Sequence, residues 1–230
     1  MDTSATIVVP CYNEAQRLDV ARFRNFARQA RGLVLRLVND GSTDGTLELL
    51  RELERDNPRA IVVQDLPRNG GKAEAVRQGI LAALRQQPCP QYIGYWDADL
   101  ATPLEAIEPF IRVLDSRPDL LFVLGARLPL LGRRIERTFK RRMCGRAFAF
   151  AASLALGISV RDTQCGAKMF RVTPETRRLF DSPFSSRWIF DVEILARLLW
   201  QADRSERTHL TSTIYELPLD RWAEIEGSKL

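Results

Sequence analysis

Two aspartates, Asp97 and Asp99, follow the short apolar run Tyr92–Trp96 and form the residue pair with the clearest capacity for chemistry. Side chains at positions i and i+2 that leave a strand point to the same side, so both carboxylates can approach one divalent cation. Hard oxygen ligands suit Mg²⁺ or Mn²⁺, and these ions commonly keep positions open for phosphate oxygens. The alternative is that both are loop acids before a helix, because Thr102–Glu105 has the pattern of a capping box.

Polar clusters also end two other apolar runs. Tyr12–Glu14 follows the first run of the chain, and Asn39–Ser42 follows the second. Ligands of parallel sheets bind at the carboxyl ends of the strands, so three polar strand ends favour a ligand site that includes Asp97. Within the second cluster Gly41 indicates a turn, whereas the carboxylate of Asp40 could accept a hydrogen bond from a base or a ribose.

The segment Asn69–Ala73 places two glycines before Lys72 at the start of a predicted helix. It is not a P-loop, because Leu66 stands where the first glycine is needed and Ala73 stands where Ser or Thr is needed. A lysine at a helix N-terminus still suits a bound anion. A simple loop and cap is the alternative.

A strongly basic segment runs from Arg127 to Arg146, with eight cations and one anion. It accounts for the whole net charge of +5, so we expect no nucleic-acid partner. A helix predicted over 134–156 places Arg134, Arg137 and Arg141 on one face. That face could be merely solvated, could lie on a membrane beside the uncharged run 147–160, or could bind phosphate through the arginine forks.

Composition excludes several classes of protein. The 230 residues are 45% hydrophobic and 27% charged, which is typical of a folded domain. Four cysteines without a CxxC pair and a single histidine argue against zinc fingers, HExxH proteases and a disulfide-stapled scaffold. The first ten residues lack a signal-peptide pattern, and the longest uncharged run is shorter than the about 20 residues that a spanning helix needs. We therefore expect a cytoplasmic protein with free thiols.

Hydrophobic periodicity predicts strands and helices in alternation through the first half. Strands are expected at 6–9, 33–38, 61–63 and 92–96, and helices at 19–30, 46–56 and 72–87. The second half is predicted to contain a strand at 120–124 and helices at 134–156, from 174 onwards, and at 191–200. This order predicts an α/β fold whose mostly parallel central sheet carries helices on both faces. With no repeat or linker, residues 1–230 are expected to form a single domain.

Several segments together resemble the family 2, GT-A type glycosyltransferases. Three of them are similar to the opening strand and PxYNE loop, the nucleotide-contacting second strand and the DxD of that family: Thr6–Glu14, Val38–Thr46 and Trp96–Asp99. Four more are similar to dolichyl-phosphate β-glucosyltransferases and their bacterial polyprenyl-phosphate relatives: Arg137–Phe139, Arg161–Phe170, Trp188–Glu193 and Trp222–Leu230. The resemblance implies a GT-A Rossmann-like fold, with a nucleotide-sugar and metal half at about 1–110 and an acceptor half at about 111–230.

The resemblance also implies roles for individual residues. The donor-binding residues would be Pro10, Tyr12, Glu14, Asp40, Lys72 and Asp97. Among them Asp40 would contact the base and Lys72 would lie near the diphosphate. Asp97 and Asp99 would be catalytic and would hold Mg²⁺ or Mn²⁺. In the acceptor half Arg127 and Arg137 would be catalytic and would meet phosphate, and the acceptor-binding set would also include Arg134, Arg141 and Gln164.

The implied activity is inverting transfer of a hexose, glucose from UDP-glucose, to a dolichyl or polyprenyl phosphate. No segment resembles the membrane-spanning helix of the family's eukaryotic members, so anchoring would have to be peripheral or supplied elsewhere. Of these we expect peripheral association with a membrane surface. Three alternatives stay open. They are a GDP-mannose-using polyprenyl-phosphate mannosyltransferase, transfer to a sugar hydroxyl with Asp162 or Asp191 as the base, and a non-catalytic nucleotide-binding module at a membrane surface.

Overall fold

The computed structural model of this chain describes residues 4–200 and 207–225. The strands are β1 (Ala5–Cys11), β2 (Leu33–Asp40), β3 (Ile61–Leu66), β4 (Tyr92–Trp96), β5 (Phe122–Ala126), β6 (Arg134–Glu136), β7 (Ala167–Arg171), β8 (Ile214–Pro218) and β9 (Arg221–Ala223). The helices are α1 (Val20–Gln29), α2 (Thr46–Asp56), α3 (Lys72–Leu84), α4 (Ile107–Ser116), α5 (Phe139–Leu156), α6 (Pro174–Arg178), α7 (Phe190–Trp200) and α8 (Arg207–Ser212). A short 3₁₀ turn, Leu104–Ala106, leads into α4.

Seven strands form one sheet in the order β3-β2-β1-β4-β7-β5-β8. Only β7, among the strands described, runs antiparallel to its neighbours, which are β4 and β5. The other pairs of this sheet are parallel. Strands β6 and β9 form a separate two-stranded parallel ladder. The predicted α/β fold with a mostly parallel sheet is therefore confirmed.

The core lies on both faces of the sheet, as the alternation along β1 shows. Ile7 belongs to the apolar cluster that includes Phe23 of α1, whereas its neighbour Val8 belongs to the cluster that includes Ile80 of α3. Helix α3 lies close against β1 because it presents Gly79 there, where a Cβ would come within 2.5 Å of the Val8 side chain. This close packing fixes α3, and with it the start of the helix at the carboxyl edge of the sheet.

In the first half the predicted elements match the observed ones to within a few residues at their ends, and in the second half they match less well. The strands β7, β8 and β9 and the helix α8 were not predicted. The predicted capping box at Thr102–Glu105 is wrong, because Pro103 precedes the 3₁₀ turn and no side chain caps it. The Thr102 hydroxyl lies instead beside the Cys165 thiol.

The predicted helix at 134–156 is wrong at its start. Residues 134–136 are extended because they pair with β9, and α5 begins only at Phe139, after the extended backbone of Thr138. Arg134, Arg137 and Arg141 therefore do not share one helical face. Among the described residues, no helix combines the length and the apolar character needed to cross a membrane.

Candidate active site

A cavity of about 430 Å³ opens where β1, β2 and β4 end and α3 begins. It is lined by every residue that the sequence suggested for a donor or a metal: Pro10, Tyr12, Glu14, Asp40, Lys72, Asp97 and Asp99. They meet because the carboxyl ends of neighbouring parallel strands lie at one edge of the sheet. We refer to this space as the donor cavity.

Lys72, the first residue of α3, forms an ion pair with Asp97, with 2.5 Å between Nζ and Oδ1. Burial raises the pKa of Asp97, and the ammonium of Lys72 opposes that rise. Burial would lower the pKa of Lys72, but the carboxylates of Asp97, Asp191 and Asp99 together raise it above its usual value. The donor cavity therefore contains a fixed cation held against a carboxylate.

Backbone contacts orient the two aspartates of the DxD. The N–H of Asp97 donates to the carbonyl of Gly166 (3.0 Å), and a Cβ on Gly166 would overlap the Asp97 carboxylate, so glycine is needed there. The Oδ1 of Asp99 accepts from the N–H of Ala101 (3.0 Å). No group of three or more His, Cys, Asp or Glu in the described residues could hold a metal by itself. Two carboxylates are nevertheless the donor set that suits Mg²⁺ or Mn²⁺ when a substrate phosphate supplies further oxygens.

Asp40, the last residue of β2, holds the glycine loop that precedes α3. Its two carboxylate oxygens accept from the N–H groups of Gly70 (2.8 Å) and Gly71 (2.9 Å). Burial raises the pKa of Asp40, and these two N–H groups oppose the rise. The φ angle of +89° at Gly71 is in the left-handed region that favours glycine. Asp40 therefore shapes the loop that carries Lys72, a role that the turn pattern of its own segment did not indicate.

The loop after β1 is tied to the start of α2. The N–H of Glu14 donates to the Thr46 hydroxyl (2.8 Å), and its buried carboxylate forms an ion pair with Arg17 (2.9 Å). Tyr12 stays partly exposed at the cavity wall. Arg17 was not predicted as a site residue, because an i,i+3 ion pair in a loop has no distinctive sequence pattern.

Two further donor-cavity residues were also missed, Arg187 and Trp188. The aliphatic stem of Arg187 packs on Gly71, and its charge lowers the pKa of Asp40. Both residues come from the loop before α7, which is more than 100 positions away from the glycine loop. The Trp188–Glu193 segment had been singled out, but nothing in its pattern indicated that it reaches Asp40.

A second cavity of about 750 Å³ lies between the 127–130 segment, α5 and the 157–162 segment, and we refer to it as the arginine cavity. Five arginines line it: Arg127, Arg137, Arg142, Arg146 and Arg161. The remaining wall is largely apolar, with Leu130, Phe150 and Leu154. The Asp162–Gly166 segment joins the two cavities, since Asp162 lines the arginine cavity and Gly166 contacts Asp97 in the donor cavity.

Arg127 is held by Asp162 in a buried two-point ion pair. Its Nε and Nη2 each lie 2.7 Å from a carboxylate oxygen, and its backbone N–H donates to the same carboxylate (2.9 Å). Burial alone would raise the pKa of Asp162, but Arg127 more than offsets this and holds that pKa below its usual range. Arg127 thus lines the cavity as a fixed cation whose charge is already balanced.

Arg137 stands differently. Its guanidinium donates to the carbonyl of Arg141 (3.0 Å), and no carboxylate within the described residues forms an ion pair with it. Burial and the nearby charge of Arg127 lower its pKa. The predicted acceptor residues Arg134 and Gln164 are exposed and line neither cavity, and Arg141 pairs with Glu224 (3.1 Å) outside both linings. Of the predicted acceptor set, the structure therefore brings only Arg127 and Arg137 together.

Asp191 lies in a buried cluster with Tyr95 of β4 and Lys168 of β7. Its Oδ1 is 2.6 Å from Nζ of Lys168, and it accepts a short hydrogen bond from the Tyr95 hydroxyl. Burial, followed by the charge of Asp191, raises the pKa of Tyr95 well above its usual value. Lys168 was not predicted, because a lysine inside a short strand carries no sequence signal of burial.

Comparisons with known proteins agree with this geometry. Residues 6–175 match the family described as glycosyl transferase family 2. The chain belongs to this family. It is 33% identical to the dolichyl-phosphate beta-glucosyltransferases of Dictyostelium discoideum and Drosophila melanogaster, over 98% of this chain and 68% of each relative. Identity to the human dolichyl-phosphate beta-glucosyltransferase is 30%, over 98% of this chain and 69% of that protein.

Solved structures show the same fold. Glucosyl-3-phosphoglycerate synthase of Mycobacterium tuberculosis, in complex with Mn²⁺, UDP-glucose and phosphoglyceric acid, aligns with a TM-score of 0.68 at 17% identity, over 98% of this chain and 73% of that one. A mannosyltransferase of Pyrobaculum calidifontis in complex with GDP-Man and Mn²⁺ aligns with a TM-score of 0.61 at 17% identity, over 98% of this chain and 57% of that one. The predicted GT-A fold is therefore confirmed.

Proposed function

We propose that this protein is an inverting hexosyltransferase that moves glucose from UDP-glucose to the phosphate of a dolichyl or polyprenyl carrier. The names of the relatives that align with almost the whole chain support this substrate pair. The observation that carries the proposal is the arginine cavity, which is apolar enough for an isoprenoid chain and cationic enough for its phosphate. The Asp162–Gly166 segment runs from this cavity to Asp97 of the donor cavity.

The state of the two candidate bases favours a phosphate acceptor over a sugar hydroxyl. A hydroxyl needs a general base, and a carboxylate serves best when its pKa lies near the working pH. Asp162 is engaged by Arg127 and its pKa is held below the usual range, while Asp191 is buried against Lys168 and Tyr95. A phosphate monoester has a second pKa of about 6, so it is already a nucleophilic anion at neutral pH. Its in-line attack on an α-linked donor gives a β-linked product.

In this proposal Asp97 and Asp99 hold a divalent cation, Mg²⁺ or Mn²⁺, whose charge would stabilise the departing nucleoside diphosphate. Lys72 stands against Asp97 in the same cavity and would face the diphosphate from the start of α3. Tyr12, Glu14 and Asp40 shape the wall that would receive the base and the ribose. Pro10 lies one residue before the end of β1, the strand from which that wall extends.

In this proposal Arg127 and Arg137 would have different roles toward the acceptor phosphate. Arg137 has no carboxylate to neutralise it within the described residues, so its N–H donors can bind the acceptor phosphate in charge-assisted hydrogen bonds. Arg127 is fixed by Asp162, so its guanidinium would form a rigid part of the cavity wall whose charge is already balanced. This arrangement positions the phosphate without protonating its attacking oxygen.

The outer rim of the arginine cavity fits a membrane surface. Large apolar side chains project from α5 and the loop before β6: Leu130, Leu131, Phe139, Met143, Phe150 and Leu154. Cations alternate with them on α5, including Lys140, Arg142 and Arg146. Apolar side chains with interspersed cations are the features of a helix that lies at an anionic lipid surface. We therefore propose that the protein acts at a membrane surface, where a lipid acceptor would be found.

The experiment that tests the function is a donor panel. Purified protein is incubated with UDP-glucose, UDP-galactose or GDP-mannose, Mn²⁺ or Mg²⁺, and a short-chain polyprenyl phosphate in detergent, and release of nucleoside diphosphate is measured. The matched control is the corresponding polyprenol, which has the same chain without the phosphate. We expect turnover with UDP-glucose and the phosphate only. Turnover with GDP-mannose would change the donor. A parallel reaction replaces the lipid phosphate by a water-soluble sugar, and turnover there would support a hydroxyl acceptor. Binding of UDP-glucose in calorimetry without turnover in any reaction would support a binding module.

A further inference from the structure

Residues 221–224, which we refer to as the C-terminal strap, pack against β6 and the start of α5. Its strand β9 pairs with β6, so that Trp222 lies opposite Ile135. Next to it, the carboxylate of Glu224 accepts from the N–H of Thr138 (3.2 Å) and forms an ion pair with Arg141 (3.1 Å). The strap therefore fixes the backbone that leads from β6 into α5.

The same strap also contacts the loop after β4, which carries Asp99. The N–H of Ala223 donates to the carbonyl of Ala101 (3.2 Å), and the N–H of Ala101 donates to the Asp99 carboxylate (3.0 Å). One four-residue segment thus contacts both the loop that carries Asp99 and the start of α5.

Between these two contacts, the indole of Trp222 packs against Arg127 and Arg137 of the arginine cavity. The guanidinium carbon of Arg127 lies 5.2 Å from the ring centroid and that of Arg137 lies 5.9 Å from it, both within the range of a cation–π contact. Arg127 is already fixed by Asp162, whereas Arg137 has one hydrogen bond, from Nη2 to the carbonyl of Arg141 (3.0 Å), and its buried Nε has no hydrogen-bond partner. The indole is therefore a second restraint on the Arg137 guanidinium beside that hydrogen bond.

Helix α5 also approaches Arg137 closely, at Gly145. A Cβ on Gly145 would lie 2.6 Å from Nη2 of Arg137, closer than such atoms can approach. The atom in the way is the end of a flexible side chain, so an alanine at 145 would displace Arg137 and leave the backbone in place. Alanine also favours a helix more than glycine does, so this change carries little cost in folding.

We propose that Trp222 is a positioning residue, which holds Arg137 in the orientation that receives the acceptor phosphate and links that orientation to the Asp99 loop. This inference rests on the proposed function for its substrate. The geometric part, that Trp222 and Gly145 together fix Arg137, is independent of which sugar or acceptor is used.

The kinetic test compares Trp222→Leu, Trp222→Phe and Gly145→Ala with wild type, using the short-chain polyprenyl phosphate. Loss of the cation–π contact should raise the acceptor KM about 3- to 30-fold in Trp222→Leu and leave the donor KM within twofold. Trp222→Phe should recover part of the loss because it restores an aromatic face. Trp200→Leu, a change at an exposed tryptophan of α7, is the matched control.

Gly145→Ala tests the same restraint without removing a core side chain. We expect an unchanged or higher Tm together with a raised acceptor KM. The double variant Arg137→Ala/Gly145→Ala should be no worse than Arg137→Ala alone, because both changes act on one side chain. An additive loss in this double variant would show that Gly145 does not act through Arg137. An acceptor KM that stays within twofold of wild type in Trp222→Leu would show that the indole does not position Arg137. An equal rise in both KM values would reduce Trp222 to a structural role.

A readout without turnover separates this inference from the proposed function. In protein labelled with ¹⁵N-arginine, the Nε–H signal of Arg137 is assigned by its loss in Arg137→Lys. We expect it to carry a ring-current shift that disappears in Trp222→Leu and changes in Gly145→Ala. If wild type transfers nothing to a lipid phosphate but the shift behaves in this way, the function is wrong and the positioning is right. If the shift is absent in wild type, the positioning is wrong whatever the substrate.

Discussion

Arg137 and Arg127 line the same cavity, and the structure predicts opposite signatures for their removal. Arg137→Ala would lose one hydrogen bond to a backbone carbonyl and one cation–π contact, but it would also relieve the burial of a cation that has no carboxylate partner. These effects nearly cancel, so we expect the free energy of unfolding to change by less than about 1 kcal/mol. The activity should change far more. A charge-assisted hydrogen bond to phosphate contributes about 1.5–3 kcal/mol, so kcat/KM for the acceptor should fall about ten- to a hundredfold.

Arg127→Ala, in contrast, leaves the carboxylate of Asp162 buried without its countercharge. Breaking a buried pair in this way costs about 3–5 kcal/mol, which corresponds to a fall in Tm of about 6–20 °C for a chain of this size. The wild-type pair keeps the pKa of Asp162 low, so its stabilisation is present above the unfolded pKa and is lost as the pH falls through the folded pKa. In the variant Asp162 takes up a proton at higher pH than in wild type and becomes neutral. The difference in Tm should therefore shrink in acid.

The assay measures Tm by thermal melting and initial rates with the short-chain acceptor for both variants. Arg112→Ala is the control, since Arg112 is an exposed arginine on α4 that pairs with the exposed Glu108. The reasoning is refuted if Arg137→Ala destabilises the fold as much as Arg127→Ala does. It is equally refuted if Arg137→Ala retains the wild-type kcat/KM for the acceptor.

Three further outcomes can be measured. Asp99→Asn should lower kcat about 10²- to 10³-fold with an unchanged Tm, because a metal-facing charge is lost. Full activity of this variant, or full activity of wild type in EDTA, would contradict the metal role. Asp40→Ala should weaken binding of UDP about ten- to a hundredfold in calorimetry, because the Gly70 and Gly71 N–H groups lose their acceptor. An unchanged affinity would show that the glycine loop before α3 does not depend on Asp40. Adsorption to anionic vesicles should fall as salt rises and should weaken further in Phe150→Ser; adsorption that is indifferent to both would place the membrane contact elsewhere.

The donor cavity could be predicted from the sequence because its parts are local. Tyr12, Asp40 and Asp97 each follow an apolar run whose length and β-branched content indicate a buried strand, and parallel strands bring such ends to one edge. Lys72 begins a helix with a clear periodic pattern. What remained hidden was how the parts contact one another, such as Asp40 accepting hydrogen bonds from the glycine loop, because that contact joins positions 30 residues apart.

The acceptor side could not be predicted in the same way, because long-range pairs build it. Arg134, Arg137 and Arg141 have a helical spacing in the sequence. Residues 134–136 are nevertheless extended, because β9 pairs with them from almost 90 positions away. Helix propensity is a weak preference, and pairing with a distant strand overrides it. Likewise nothing near Arg127 indicates that Asp162 neutralises it. The resemblance pointed to Arg127 and Arg137 together, and the structure distinguishes the two, since only Arg127 is paired with Asp162.

The distribution of charge on the acceptor side also bears on how a product would leave. At neutral pH a phosphate monoester carries close to two negative charges, whereas the diester formed by glycosyl transfer carries one. A cation that already had a carboxylate partner would distinguish these two states poorly, because its charge is balanced before the ligand arrives. Arg137 has no such partner in the described residues, so it would hold the proposed substrate more tightly than the proposed product. Pairing Arg127 with Asp162 limits the total positive charge, and this would keep the diester from being retained after transfer.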